Sequence, residues 1–380
     1  MTDIAIHEEL QLLRDSARSF IQKESPVSAL RKLRDNRDET GFSRQLWQEM
    51  AELGWVGMTI PEQYDGMGYG YIGWGPILEE MGRGLVASPY FSTAVLGATA
   101  VQLSGRDEQK ESILPEVASG ERLLAFALEE GDHHAPESTA LEATRTDSGY
   151  VLSGRKRFVQ DGHVADHLIV TARTSGQPGD RRGLSLFLVD AAAADIEIDR
   201  TIMVDTRNAA DIAFNEVEVS SASLLGTADE GAEILEKVLN IGRIALATEM
   251  LGVAQEAFDR TINYLKTRQQ FGVYIGSFQG LQHRASQMFC ELETSKSVVQ
   301  KALQAIDDDT PHLAQMASLA KYTLGETTQL VTREAIQMFG GIGMTDEEEI
   351  GFFIKRAIVA EKTLGDHAYH LNRYASLQGY

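Results

Sequence analysis

The chain has 380 residues, 43% of them hydrophobic, a formal net charge of −21 and a single cysteine, Cys290. That length holds two or three domains with ample core, and the acidic balance argues against nucleic acid or an anionic membrane surface as partner. No run of about 18 apolar residues exists, and the acids in MTDIAIHEELQLLRDSARSF are unlike a secretory or transit leader; with an unpaired cysteine this predicts a cytoplasmic protein with no membrane span.

From the start to about residue 120, EELQLLRDSARSFIQKE, SRQLWQEMAELGW and PILEEMGRGL place apolar residues three and four apart, as helices do. Within this region GYGYIG, Gly68 to Gly73, has the G-x-G-x-x-G spacing of a dinucleotide-binding turn. The context is wrong for one. MTIPEQYDGM before it reads as a loop, and no acid stands between Glu80 and Asp107 to hold a ribose. A glycine loop feeding a helix, with Pro76 as its first residue, is expected instead.

Between about 121 and 228 the texture changes to strands: LLAFALEE, YVLSGRKRFV, HLIVTAR, LSLFLVD, IEIDRTI and IAFNEVEV are short and rich in β-branched or aromatic residues. RTSGQPGDRRG reads as a polar surface loop between two of them. From 229 to the end the pattern is helical, and AEILEKVLNIGRIALATEMLGVAQEAFDRTINYLKTR runs without proline. A contiguous strand block favours an antiparallel β-domain between helical layers over a doubly wound sheet. The expected division is 1–120, 121–228 and 229–380.

His133-His134 and His163 with His167 invite a metal reading. The second pair lies on strand and turn, and no cysteine or carboxylate cluster completes a site, so surface histidines are expected.

The order of textures, with Arg268-Gln-Gln-Phe-Gly272, Ile275-Gly-Ser-Phe-Gln279 and Gln337-Met-Phe-Gly-Gly-Ile-Gly-Met344, resembles the acyl-CoA dehydrogenase family over nearly the whole chain. The resemblance implies an N-terminal α-helical domain, a middle antiparallel β-domain and a C-terminal four-helix bundle. It also implies FAD as cofactor, an acyl-CoA substrate and an electron-transfer flavoprotein as acceptor. Arg268, Phe271, Ile275 and Gln279 would meet the FAD of a neighbouring subunit, like or unlike, and Gln337, Gly340 and Gly341 would lie beside the same dinucleotide. In the β-domain, Phe126, Leu128 and Glu129 stand where the family's flavin-contacting segment runs, though Glu129 replaces a threonine. Phe158 and Gln160 stand where a tryptophan and a threonine meet the flavin. Arg243 is expected to be partly buried near the thioester, and Asn240 is a candidate coenzyme A contact.

The family's base is a glutamate at one of two positions. Here one position holds Leu364, in Thr363-Leu-Gly-Asp-His367, and the other holds Gly242, before Arg243. Glu249 lies about 10 Å along the helix from Gly242, too far to substitute simply. Three readings stay open. Asp366 acts as a displaced base, in a dehydrogenase or an oxidase-type reaction, against the alternative that it caps a helix. The chain is one subunit of a heteromer, as its Leu364, Gly365, Asp366, His370 pattern suggests. Or it is an FAD-binding partner subunit with no turnover of its own.

Overall fold

The computed structural model describes the backbone from Asp3 to Tyr380 and side chains from Glu8 onward. Helices come first: α1 (Asp3–Glu24), α2 (Val27–Asp35), α3 (Arg44–Glu52), α4 (Trp74–Gly84), α5 (Ala98–Ser104) and α6 (Asp107–Ala118). Eight strands follow: β1 (Leu124–Ala127), β2 (Glu142–Arg145), β3 (Gly149–Gln160), β4 (His167–Arg173), β5 (Leu184–Asp190), β6 (Ile196–Ile202), β7 (Asn208–Ser220) and β8 (Leu224–Leu225). The chain then returns to helices: α7 (Gly231–Thr267), a small hairpin of β9 (Gln269–Gln270) and β10 (Val273–Tyr274), α8 (Gln279–Asp307), α9 (Leu313–Phe339), α10 (Ile350–Lys362) and α11 (His367–Leu377).

Compactness divides these residues into two units. One holds residues 36–69 and 87–242, the other residues 1–35, 70–86 and 243–380. In the first, one sheet runs in the order β6-β7-β3-β2-β4-β5-β8, with β1 added on β4. Its ladders are antiparallel except at β4, where β1 pairs in parallel and β2 meets Arg173 through Glu142. The antiparallel expectation therefore needs that amendment. Leu152, Val170, Phe187, Ile212 and Phe214 form the centre of its core. Residues Phe91–Gly97 form a buried π-helix ahead of α5, a winding that helical periodicity does not signal.

In the other unit, α4 and α7 cross at backbone contact. A Cβ on Gly82 would lie 2.1 Å from the Glu249 carbonyl oxygen, and one on Gly252 only 1.8 Å from that of Glu79. The glycine run Gly68–Gly73 resolves here as well. The amides of Tyr71 and Ile72 each donate to the Asp307 carboxylate at 2.8 Å, so the turn is capped by its own chain. A one-turn helix over Tyr71–Gly73 leads directly into α4, which starts at Trp74, two residues before Pro76.

Candidate active site

Leu364 lies in the joint between α10 and α11. It is buried, with φ +57°, and Gly365 follows at φ +104°. Its carbonyl oxygen is held from two sides, by Nε of Arg243 at 3.3 Å and Nε2 of His370 at 3.1 Å. Arg243 is wholly buried; it also donates to the Tyr369 hydroxyl at 3.1 Å and lies over that ring. A carbonyl only accepts, so His370 carries its proton on Nε2 and its Nδ1 accepts. The Ser318 hydroxyl, 3.5 Å away, is the facing donor, and Arg373 donates to that same oxygen at 2.6 Å. A left-handed, non-glycine joint is thereby fixed by buried donors.

The carboxylates around this joint are each engaged. Asp366 is the N-cap of α11: its Oδ1 accepts from the Tyr369 amide at 2.9 Å and its Oδ2 meets Lys362 at 3.3 Å. The amide first and the lysine second hold its carboxyl below the usual range. Glu361, 2% exposed, accepts from the His367 amide at 2.9 Å and pairs with Lys362. Glu249 is buried against Arg356 at 3.0 Å. Lys321, also buried, donates to the last carbonyls of α10, Ala360 at 2.6 Å and Glu361 at 3.2 Å. Burial pushes its ammonium down to about 7; Glu361 opposes that shift and Arg243 adds to it. Neither Lys321 nor Glu361 carries a sequence signal beyond helical periodicity, because their roles arise from helices packing far apart in the chain. Asn240, on the turn of α7 before Arg243, is buried with Glu236 within 3.5 Å.

In the sheet unit, a register shift between Lys156 and Val159 throws Phe158 out of the β3–β7 ladder. Phe158 has φ +50°, is 45% exposed and carries the Arg157 guanidinium 5.1 Å from its ring centre. Bulges of this kind re-aim side chains beside functional sites. Behind it, the fully buried Lys156 ammonium is held by the Leu128 carbonyl, Glu130 and Thr171 at 3.0, 2.6 and 2.9 Å. Burial lowers it to about 8. Phe126 and Leu128 are core side chains, so they would meet a ligand through main chain alone, while Gln160 is half-buried.

The expectation of surface histidines needs correction. His134 is buried against Glu129, with Nδ1 to Oε1 at 2.5 Å. His163 meets the Thr40 carbonyl oxygen at 3.0 Å, and His167 faces Arg122 at the same distance. Burial lowers both, with Arg200 and Arg122 adding to it respectively. Among the described residues no group of three or more His, Cys, Asp or Glu could hold a metal.

At the end of α7, Arg268 is exposed at the base of the β9–β10 finger, whose tip, Phe271, is 90% exposed at φ +56°. Ile275 is buried beneath the finger, and Gln279 is exposed at the start of α8. Tyr264 stacks on Phe339 at 4.3 Å between ring centres, which brings the finger's root beside the exposed Gln337, Gly340 and Gly341. A Cβ on either of those glycines would meet nothing within 4 Å, leaving bare backbone that a ligand can approach.

Most of the chain is matched by three family profiles. They are the acyl-CoA dehydrogenase N-terminal domain over residues 7–121, the middle domain over 129–217 and the C-terminal domain over 229–376. A caffeyl-CoA reductase-Etf complex subunit of Acetobacterium woodii is 31% identical over 351 residues, covering 90% of this chain and 91% of that one. Mitochondrial isovaleryl-CoA dehydrogenase of Pongo abelii is 31% identical over 365 residues, 94% of this chain and 85% of the other. The solved structure of the Tcur3481-Tcur3483 steroid ACAD superposes with a TM-score of 0.88 at 31% identity, over 98% of each chain. A flavin needs a flat apolar face and backbone free of side chains for its phosphates, and the exposed, bulge-directed Phe158 ring and the open Gly340-Gly341 backbone fit both needs. With three domains in order and residues suited to the cofactor, the chain belongs to the acyl-CoA dehydrogenase family, FAD-dependent oxidoreductases that act on a carbon–carbon bond.

Proposed function

We propose that this chain dehydrogenates an acyl-CoA as one subunit of a hetero-oligomer, an unlike family subunit supplying the carboxylate that removes the α-proton. Bound FAD supplies the acceptor for the β-hydride. Electrons then leave to an electron-transfer flavoprotein, a reading supported by the Etf-complex relative. The relative with a paired name supports the unlike partner.

One observation carries the proposal. Both positions for the base are apolar, Leu364 and Gly242, and the carboxylates near the α10–α11 joint are committed to a cap or a cation. A positioned base contributes about 10²–10⁴-fold, so its loss leaves turnover too slow to matter. Asp366 as base would have to leave the Tyr369 amide that it caps.

The test uses the purified chain loaded with FAD, mixed anaerobically with straight, branched, dicarboxyl and steroid-side-chain acyl-CoAs. The wild-type chain alone should leave the flavin yellow. Leu364→Glu puts a carboxylate on a left-handed backbone that already carries a Cβ, and should speed bleaching at least about 100-fold. Rapid bleaching by the wild type, abolished in Asp366→Asn with FAD retained, overturns the proposal.

A further inference from the structure

The buried ion pair Lys156–Glu130 joins the two segments of the sheet unit that would meet a flavin. An ammonium has three protons to donate, and each has an acceptor here. They are the Leu128 carbonyl oxygen at the start of the loop after β1, the Glu130 carboxylate within that loop and the Thr171 hydroxyl on β4, at 3.0, 2.6 and 2.9 Å. Glu130 carries the tie to the far end of the loop, where its two oxygens accept the Ala140 and Leu141 amides at 2.8 and 3.1 Å. Residues 128–141 are thus closed on one charged pair. Lys156 is also the last residue of β3 in register before the bulge, opposite Ile212, and pairing resumes only at Val159. The residues between are fixed in turn: the Arg157 amide donates to the Glu129 carbonyl oxygen at 2.7 Å, and the Phe158 amide to the Asp211 carboxylate at 3.2 Å. One side chain therefore holds the backbone of Leu128 to Glu130 against the backbone that presents Phe158.

Stability alone does not call for a lysine at this place. Taking an ammonium out of water is unfavourable, and a well-packed apolar pair serves a core as well or better. What a charged pair adds is a single path for the loop, since any other path leaves a buried charge unmatched. The neighbouring charges are engaged elsewhere or open to solvent. Glu129 meets His134 at 2.5 Å, and Arg157 is bound to Asp132 at 2.6 Å and lies 3.8 Å from Asp211. Arg155 and His133 are exposed.

We propose that Lys156 is a positioning residue for FAD: through Glu130 it holds the 128–141 loop and the Phe158 bulge in the one arrangement that receives the isoalloxazine. This rests on the FAD reading of the Phe158 face. Being wholly buried, Lys156 acts through that backbone and not by contact, and a loop fixed in advance does not have to be ordered when the cofactor binds. A role in stability and a role in positioning move oppositely with pH. Burial lowers Lys156 to about 8 from the 10.5 of an exposed lysine, with Glu130 and then Glu129 opposing the shift. Between those values the unfolded chain binds more protons, so this residue makes the fold more stable as pH rises. The same loss of the proton releases Glu130 and the loop ends it holds, so FAD affinity falls.

The FAD-stripped full chain is titrated with FAD at pH 7 and 9, with flavin fluorescence reporting the dissociation constant and visible circular dichroism the surroundings of the ring. The wild type should lose about tenfold in affinity between those values, and His134→Gln should keep that loss. Lys156→Met with Glu130→Gln removes both buried charges together, which leaves a folded sheet. This double variant should bind FAD at least about tenfold more weakly at pH 7, with altered dichroism, and lose no more at pH 9. Over the same range the urea midpoint of the stripped wild type should rise relative to that of the double variant. A folded double variant that binds FAD as the wild type does, with the same dichroism, overturns the positioning role alone. So does a pH response that disappears with His134. Should the double variant not fold, the wild type decides by itself: an affinity that stays level or rises from pH 7 to 9 overturns the role. A wild type that binds no FAD at either pH overturns the FAD reading and the positioning role with it.

Discussion

Lys321 sets a pH dependence that a single residue can report. Its folded-state value of about 7 lies below the 10.5 of an exposed lysine. Between those values the unfolded chain binds more protons than the folded one, so stability rises with pH across the window. Below about 7 both states are protonated and the full penalty for burying the charge is present. Urea unfolding of wild type and Lys321→Met at pH 7 and 9 should therefore diverge, the wild type gaining roughly 1 kcal/mol per unit more than the variant. Parallel curves would mean that the ammonium is not buried in solution. At this scale the sequence was readable where a motif was local. Asp366 after Gly365 offered an N-cap as one of two readings, the other being a displaced base, and Arg243 among small apolar residues announced burial. It was silent on Lys321, Glu361 and the Glu129–His134 contact, because the partner in each case is brought by a different element or by the fold of a loop.

The α4–α7 crossing is an element-scale device. With Gly252 only 1.8 Å short of the Glu79 carbonyl for any added Cβ, the helices have no slack. Gly252→Ala forces them apart and should cost about 2–3 kcal/mol or more, read as a lowered urea midpoint beside a neutral control on an exposed face of α8. An unchanged midpoint would show that the crossing is looser than the backbone contact requires. The long α7 and the strands β3, β4, β5, β6 and β7 could be read from pattern and composition: β4 and β5 are buried apolar runs, and β-branched residues mark even the largely exposed β6. Two short strands could not: β2 (EATR) is mostly polar and β8 only two residues long, and both exist through their neighbours' free edges. The bulge that exposes Phe158 was equally hidden. It depends on how two long strands fall out of register, and only the resemblance had directed attention to that ring.

At the scale of the molecule, the finger after α7 is the feature least at ease in water. Phe271, Tyr274, Val273 and Phe278 are 90%, 52%, 43% and 39% exposed, an apolar group of a kind that marks a surface meant to be covered. The resemblance assigned this segment to a subunit contact from sequence alone. Phe271→Asp should weaken self-association by about 2 kcal/mol, roughly thirtyfold, seen as a lower mass in light scattering at low concentration with the melting of the sheet unit unchanged. A mass that does not respond would remove the finger from the interface. Supply follows from the same surface. On the proposed unlike pairing, a chain made faster than its partner would carry the finger bare, and bare apolar surface is what drives aggregation and quality control. In the proposed hetero-oligomer the amounts of the two subunits would then have to be matched at synthesis.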